Sequence, residues 1–146
     1  MLAAIRPDDW NVALFLHVLG ALTLVGALAT ATAFQLAAWR RTANSGSFDR
    51  LAFRTLLLVA LPAWIVMRIG AQWIYSKEGW SGENDPTWLG IGFGASDIGG
   101  IIVLVAIVTA GFAARRAAFA RVATVLTTLA VLIYVVAVWA MSAKPA

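Results

Sequence analysis

The chain contains a single histidine, and its place inside an apolar stretch makes it the first residue to consider for chemistry. His17 lies within "ALFLHVLGAL". Arg68 lies within "PAWIVMRIGAQWIY", in a run from Leu56 to Ile74 that holds no other charge. An arginine at the centre of a membrane helix costs about 2.5–3.5 kcal/mol on insertion scales, so such residues face a protein interior or a wet cavity. Histidine relays protons near neutral pH and ligates haem. These two residues therefore define the candidate site.

Three more polar residues are expected at the same depth. Gln72 follows Arg68 by one helical turn, and Tyr134 lies at a comparable level in the last apolar stretch. Asp97 is expected to open the third helix and to pair with Arg68, because it is the only acid near that level. The predicted ligand-binding set is His17, Arg68, Gln72, Asp97 and Tyr134, with His17 as a metal ligand only if haem is bound.

In two alternative interpretations, these residues bind no ligand. In the first, an Arg68–Asp97 ion pair pins the second and third helices together, and His17 and Tyr134 are satisfied core residues. In the second, Arg68 extends along the helix to the outer headgroups.

The residue types limit the chemistry. The chain has no cysteine, which excludes disulfides and thiolate metal sites. A lone histidine does not complete a closed metal site. Met67 is expected to point about 100° away from Arg68 around the helix, which weakens a copper site with His17. Ser96 adjoins Asp97, but nothing in the sequence places it beside His17 as a nucleophile. Haem or quinone binding and proton relay stay open, and so does the question of whether any reaction is catalysed.

Four apolar stretches must position these residues. Hydrophobic residues form 62% of the chain and charged residues 12%, against about 45–50% and 25% in soluble domains. The stretches cover residues 10–39, 56–75, 98–114 and 122–141, each near or above the roughly 20 residues that cross a bilayer. The sequence predicts one all-α domain, an antiparallel four-helix transmembrane bundle that contacts lipid in the cell membrane.

The arginines at the helix ends predict the orientation. Two loops share seven of them against one acid, Asp49: Arg40, Arg41, Arg50 and Arg54 in one, and Arg115, Arg116 and Arg121 in the other. The positive-inside rule places both loops in the cytoplasm and both termini outside. The net charge of +4 is therefore interpreted as topology-setting and not as a nucleic-acid surface. Residues 76–96 are predicted as an outer loop, either lying on the membrane interface or serving as a lid or partner surface.

The faces of the first two helices carry further expectations. His17 shares its face with mostly small residues, which are typical of helix–helix contacts: Ala13, Gly20, Leu24, Ala27 and Ala31. The opposite face carries bulky residues expected to meet lipid: Leu14, Val18, Leu22, Val25 and Leu28. Pro62 is expected to kink the second helix and to free a carbonyl.

The stretch "LFLHVLGALTLVGALATATAF", residues 14–34, resembles the first helix of small four-helix membrane proteins of unknown function. These begin with Leu-His-Val-Leu-Gly-Ala. More distantly, the chain is similar to copper-resistance D membrane domains and to HemJ-type protoporphyrinogen oxidases. The resemblance implies a four-helix core and a functional histidine early in the first helix, here His17.

Three function classes remain open. The first is a ligand-binding or accessory membrane protein with an outer-leaflet polar pocket for a quinone-, lipid- or haem-like group. The second is a structural subunit of a larger membrane complex, or a homodimer. The third is a HemJ-like oxidoreductase or a copper transporter.

Overall fold

The computed structural model describes residues 11–39, 45–79, 82 and 85–143. Four helices form an all-α bundle, as predicted: α1 (Asn11–Trp39), α2 (Ser45–Glu78), α3 (Thr87–Ala113) and α4 (Ala120–Ala143), with a 3₁₀ turn at Ala117–Phe119 before α4. All four are long and apolar enough to cross a bilayer. The predicted start of α1 at residue 10, Arg40 and Arg41, and loop residues 80, 81, 83 and 84 lie outside the described residues. The chain is a multi-pass membrane protein whose helices contact lipid.

Helix α2 begins at Ser45, well before the predicted start at Leu56. Charged residues lower the hydropathy of this first segment, but they lie on one side of the helix. The other side packs inward: the Phe48 ring stacks on Phe34 with ring centroids 6.3 Å apart, and Ala52 is fully buried. Hydropathy alone therefore missed a segment whose helical form depends on its contact with α1.

Helix α3 begins at Thr87 and not near residue 98, so most of the predicted outer loop 76–96 is helical. None of its glycines forms a turn, and Gly92 and Gly99 permit close packing, whereas nothing lies within 4 Å of a Cβ at Gly90 or Gly94. A Cβ on Gly92 would clash with the Met141 methyl group, and a Cβ on Gly99 would lie 2.9 Å from Cζ of Tyr134. Asp97 consequently lies in the third turn of α3 and does not open it.

Irregular backbone occurs just before Pro62, whereas the predicted kink of the helix stays a prediction. Residues Leu56–Ala60 form a π-helical turn, and the Leu61 N–H donates to the Leu56 carbonyl oxygen. Proline removes a backbone donor and crowds the carbonyl four residues earlier, and a wider turn relieves that crowding.

The bundle has two unlike halves. We call the half that holds His17 and Arg68 the cavity half, and the half that holds Arg50, Arg54 and Arg115 the arginine half. The largest fully buried side chains lie towards the middle and the arginine half: Leu24, Leu28, Leu56, Val103 and Thr127. All five residues predicted to share the packed face of α1 with His17 are buried, which confirms that face. The prediction that Leu28 meets lipid was wrong, because neighbouring helices enclose α1 at that level.

Candidate functional site

The site is organised by the crossing of α1 and α2, where two glycines let the backbones touch. A Cβ on Gly20 would lie 2.5 Å from the Met67 backbone nitrogen, and a Cβ on Gly70 would lie 2.6 Å from the His17 nitrogen. The contact is reciprocal, since each glycine lies one turn beyond the residue that the other glycine touches. Small residues allow this backbone approach in membrane helices. The crossing brings His17 directly against the segment that carries Arg68.

One ring nitrogen of His17 is fixed by this crossing. Its Nδ1 lies 3.1 Å from the Met67 carbonyl oxygen. A carbonyl only accepts, so Nδ1 carries the hydrogen and donates it. In the neutral imidazole, Nε2 is then an acceptor, and it has no hydrogen-bond partner in the described part of the chain.

Arg68 is held on two sides. Its Nη2 lies 3.0 Å from Oδ1 of Asp97, which confirms the predicted ion pair, and its guanidinium carbon lies 4.8 Å from the centre of the Phe93 ring. The arginine side chain is 27% exposed and the aspartate 56%. The second terminal nitrogen, Nη1, is buried without a hydrogen-bond acceptor among the described residues. One charged donor of the arginine is therefore left unused.

Tyr134, on α4, contacts Ser96 of α3, the residue next to Asp97. It is buried, and its hydroxyl donates to the Ser96 carbonyl oxygen over 3.3 Å. The indole nitrogen of Trp64 donates to the same oxygen over 3.4 Å. The Ser96 hydroxyl is itself buried with no partner within the described segments. Ser96 thus joins α2, α3 and α4 through its backbone and leaves its side chain free.

A cavity of about 300 Å³ lies among the four helices at this level. His17, Arg68 and Tyr134 line it together with Ser96 and Ser142. The rest of its wall is mostly apolar: Val18, Ala21, Leu22, Val25, Met67, Ala71, Phe93, Ala137, Val138 and Met141. Val18, Leu22 and Val138 are also exposed on the outer surface of the bundle, so the cavity reaches the lipid-facing side between α1 and α4.

The structure thus brings three of the five predicted site residues to one cavity: His17, Arg68 and Tyr134. The other two, Asp97 and Gln72, do not line it. Asp97 is joined to the cavity only through Arg68. Gln72 is exposed and does not line the cavity. Met67, which was expected to point about 100° away from Arg68, lines the cavity together with His17.

Sequence reasoning missed Phe93, Ser96 and Met141. The first two were assigned to a loop, which hid their helical spacing: they are three residues apart on α3 and share a face. Met141 lies near the end of its helix, and only the glycine opposite it gives its side chain room. The signal that could have found Met141 is Gly92, interpreted as a packing position and not as part of a loop.

The described residues form no cluster of three or more His, Cys, Asp or Glu side chains that could hold a metal ion. Comparison of the chain with protein-family models, with curated proteins and with solved structures gives no match. The fold and the site therefore define a class, a four-helix integral membrane protein with an internal cavity that carries an arginine and a histidine.

Proposed function

We propose that the cavity binds the polar head of an amphipathic membrane molecule, a quinol or quinone with an apolar tail. The observation that carries the proposal is the buried Nη1 of Arg68, which has no acceptor in the described chain. Buried polar groups in native proteins are nearly always hydrogen-bonded, and an unpartnered donor beside a cavity favours an acceptor supplied from outside the chain. A ligand oxygen satisfies this requirement.

The hydrogen-bonding pattern favours the quinol. Arg68 and the Ser96 hydroxyl offer donors, whereas neutral His17 offers only an acceptor because its Nδ1–H is already used. A phenolic hydroxyl accepts from one group and donates to another at the same oxygen. A quinone carbonyl accepts only, and it leaves Nε2 of His17 unsatisfied.

The apolar wall fits a tail. Val18, Ala21, Leu22 and Val25 follow one another along one face of α1, and Val138 faces them from α4. Two residues of this row, Val18 and Leu22, are also exposed on the lipid-facing surface. A hydrocarbon chain lying there would remain in contact with the bilayer, so the molecule could enter sideways from the membrane.

The hydrogen bond of His17 is compatible with haem binding, but the volume of the cavity is not. A metal-ligating histidine usually donates its other ring N–H to a carbonyl or carboxylate, as His17 does to Met67. However, about 300 Å³ is at the lower limit for ligand pockets, which suits a single ring better than a four-ring macrocycle. If haem were bound, His17 would hold the iron and Arg68 would face a propionate.

The test is ligand-induced stabilisation in detergent thermal melts, with a decyl-substituted benzoquinol and the matching benzoquinone as probes. We expect the quinol to bind about 5- to 100-fold more tightly, from the cost of one unsatisfied polar group. His17→Ala should remove that preference. Arg68→Lys should weaken both probes, because the planar fork is lost while the charge stays.

Gln72→Ala is the matched control, since Gln72 lies one turn beyond Arg68, is exposed and does not line the cavity. Equal losses in Gln72→Ala and Arg68→Lys would overturn the proposal. So would a haem absorbance spectrum in the purified protein.

A second candidate is Cu(I) binding, favoured by one specific observation. The chain has one histidine and three methionines, and His17, Met67 and Met141 all line the same cavity. Thioether and imidazole ligands suit Cu(I). In this case the thioethers of Met67 and Met141 would be ligands together with Nε2 of His17.

Paired variants separate the two candidates. Met141→Leu should abolish Cu(I) retention against a chromophoric competitor and leave quinol binding nearly intact. Arg68→Lys should do the reverse. No retained Cu(I) in the unaltered protein would eliminate the second candidate without affecting the first.

We further propose that the arginine half faces the cytoplasm and that the membrane is the cell membrane. Five arginines are described at that end, at positions 50, 54, 115, 116 and 121, and they support this orientation through the positive-inside rule. The chain lacks cysteine, so single cysteines at Ser47 and Ser76 can be labelled cleanly in intact cells. Labelling of position 47 but not 76 by an impermeant reagent would reverse the orientation. The resemblance of residues 14–34 to known membrane families remains a prediction, as does a role as a structural subunit or homodimer.

A further inference from the structure

A second recess lies in the arginine half, between the first turns of α2 and the end of α3. Its volume is about 570 Å³, and Arg50, Arg54 and Arg115 line it. Arg50 and Arg54 are four residues apart on α2 and therefore lie on one face. Arg115 reaches it from the turn after α3. Three arginines thus line one groove.

None of these three arginines forms an ion pair with a carboxylate of the described residues. The Arg68–Asp97 pair lies in the other half of the molecule. Arg50 makes one long contact, 3.4 Å from its Nη2 to the Ser47 hydroxyl. The groove therefore carries about three uncompensated positive charges at one end of the bundle.

The floor of the groove is apolar and continues along the lipid-facing side of α3. Phe53 lies over Gly111, where an added Cβ would be 3.2 Å from the ring. Val108 and Phe112 also line the groove, and both are exposed on the outer surface of the bundle. A groove for a soluble anion would gain nothing from this continuous apolar side.

We infer that this groove is a binding site for an anionic phospholipid of the bilayer. Its phosphate would pair with Arg50, Arg54 and Arg115, and an acyl chain would lie along Phe112 and Val108. Arginine matches phosphate through paired N–H groups, and basic recesses between membrane helices bind anionic headgroups. The inference does not depend on the ligand proposed for the cavity half.

The experiment is native mass spectrometry of the protein released from vesicles of phosphatidylcholine with an equal share of phosphatidylglycerol. The unaltered protein should retain phosphatidylglycerol over phosphatidylcholine by tenfold or more. Arg54→Gln with Arg115→Gln should reduce that retention about 25-fold, from about fivefold for each arginine. Arg121→Gln is the control, because Arg121 is exposed at the same end and does not line the groove.

Three outcomes would overturn the inference. An equal loss in Arg121→Gln would mean that diffuse charge attracts the lipid. Unchanged retention in Gly111→Leu, which crowds the floor and keeps every charge, would mean that the groove is not used. Displacement of the lipid by millimolar inorganic phosphate would indicate a site for the free anion. The exposed arginines can be replaced without disturbing the core, and thermal melts check this.

Discussion

Helix α1 meets its two neighbours in the cavity half in opposite ways. Towards α2, Gly20 and Gly70 bring the two backbones into direct contact. Towards α4, a cavity of about 300 Å³ separates Val18 and Leu22 from Ala137. The same stretch of helix is thus packed without space on one side and left open on the other.

This difference suggests how a small bundle keeps a cavity. An apolar void is costly, and surrounding helices relax towards it when they can. Here α1 cannot move freely, because its backbone is fixed against α2 and because the Nδ1–H of His17 donates to the Met67 carbonyl. One turn past the end of the cavity at Val25, Leu28 is fully buried and the space closes.

The largest effect should come from breaking the tight side. Gly20→Val places a side chain where the Met67 backbone lies, and neither backbone can move aside cheaply. We expect a loss of about 3 kcal/mol or more in the free energy of unfolding, the upper range for overpacking. Gly26→Val is the control on the same helix, since nothing lies within 4 Å of a Cβ there. Equal losses in both variants, measured by unfolding in detergent, would show that the crossing is not tight.

The next largest loss of stability should come from breaking the Arg68–Asp97 ion pair beside the cavity. Asp97→Leu leaves a guanidinium that cannot deprotonate and is only 27% exposed, whereas Arg68→Leu leaves a carboxylate that is 56% exposed. We expect Asp97→Leu to cost about 1–3 kcal/mol and Arg68→Leu less. The double variant should lose less than the sum of the single variants. Additive losses would show that the two side chains act independently.

A smaller loss of stability should follow from removing the hydrogen bond that joins Tyr134 of α4 to Ser96 of α3. Tyr134→Phe removes the hydroxyl that donates to the Ser96 carbonyl oxygen, which still accepts from Trp64. We expect a cost of about 0.5–1.5 kcal/mol, the value of one hydrogen bond. Tyr75→Phe, which removes a partly buried hydroxyl bonded to Asp85 outside the cavity, is the comparison. A change in quinol binding in Tyr134→Phe but not in Tyr75→Phe would give Tyr134 a direct role in the site.

The smallest change in stability should come from filling the open side. Ala137→Leu adds a side chain to the cavity wall without touching the α1–α2 crossing. We expect stability to stay within about 0.5 kcal/mol or to rise, since cavity filling commonly stabilises. Stabilisation by the decyl benzoquinol should be lost. Val135→Leu, at an exposed position outside the cavity, should leave it intact. Intact quinol binding in Ala137→Leu would show that the cavity is not the site.

The sequence by itself determined the four membrane helices, because hydropathy sums over each segment and needs no knowledge of neighbours. It also predicted the Arg68–Asp97 pair, which the structure confirms. A buried arginine needs a partner, and the chain offers one acid at that depth. The packed face of α1 followed from its small residues.

Only the tertiary structure decided which space those helices enclose. Whether Gly92 and Gly99 mark a loop or a packing surface depends on Met141 and Tyr134, more than 30 residues away in the chain. Whether Nη1 of Arg68 finds an acceptor depends on the rotation of α2 against α3. Leu28 was assigned to lipid although a neighbouring helix covers it. Cavities and unsatisfied atoms arise from distances between helices, and these distances are set by backbone contacts such as Gly20 with Met67, which no single segment encodes.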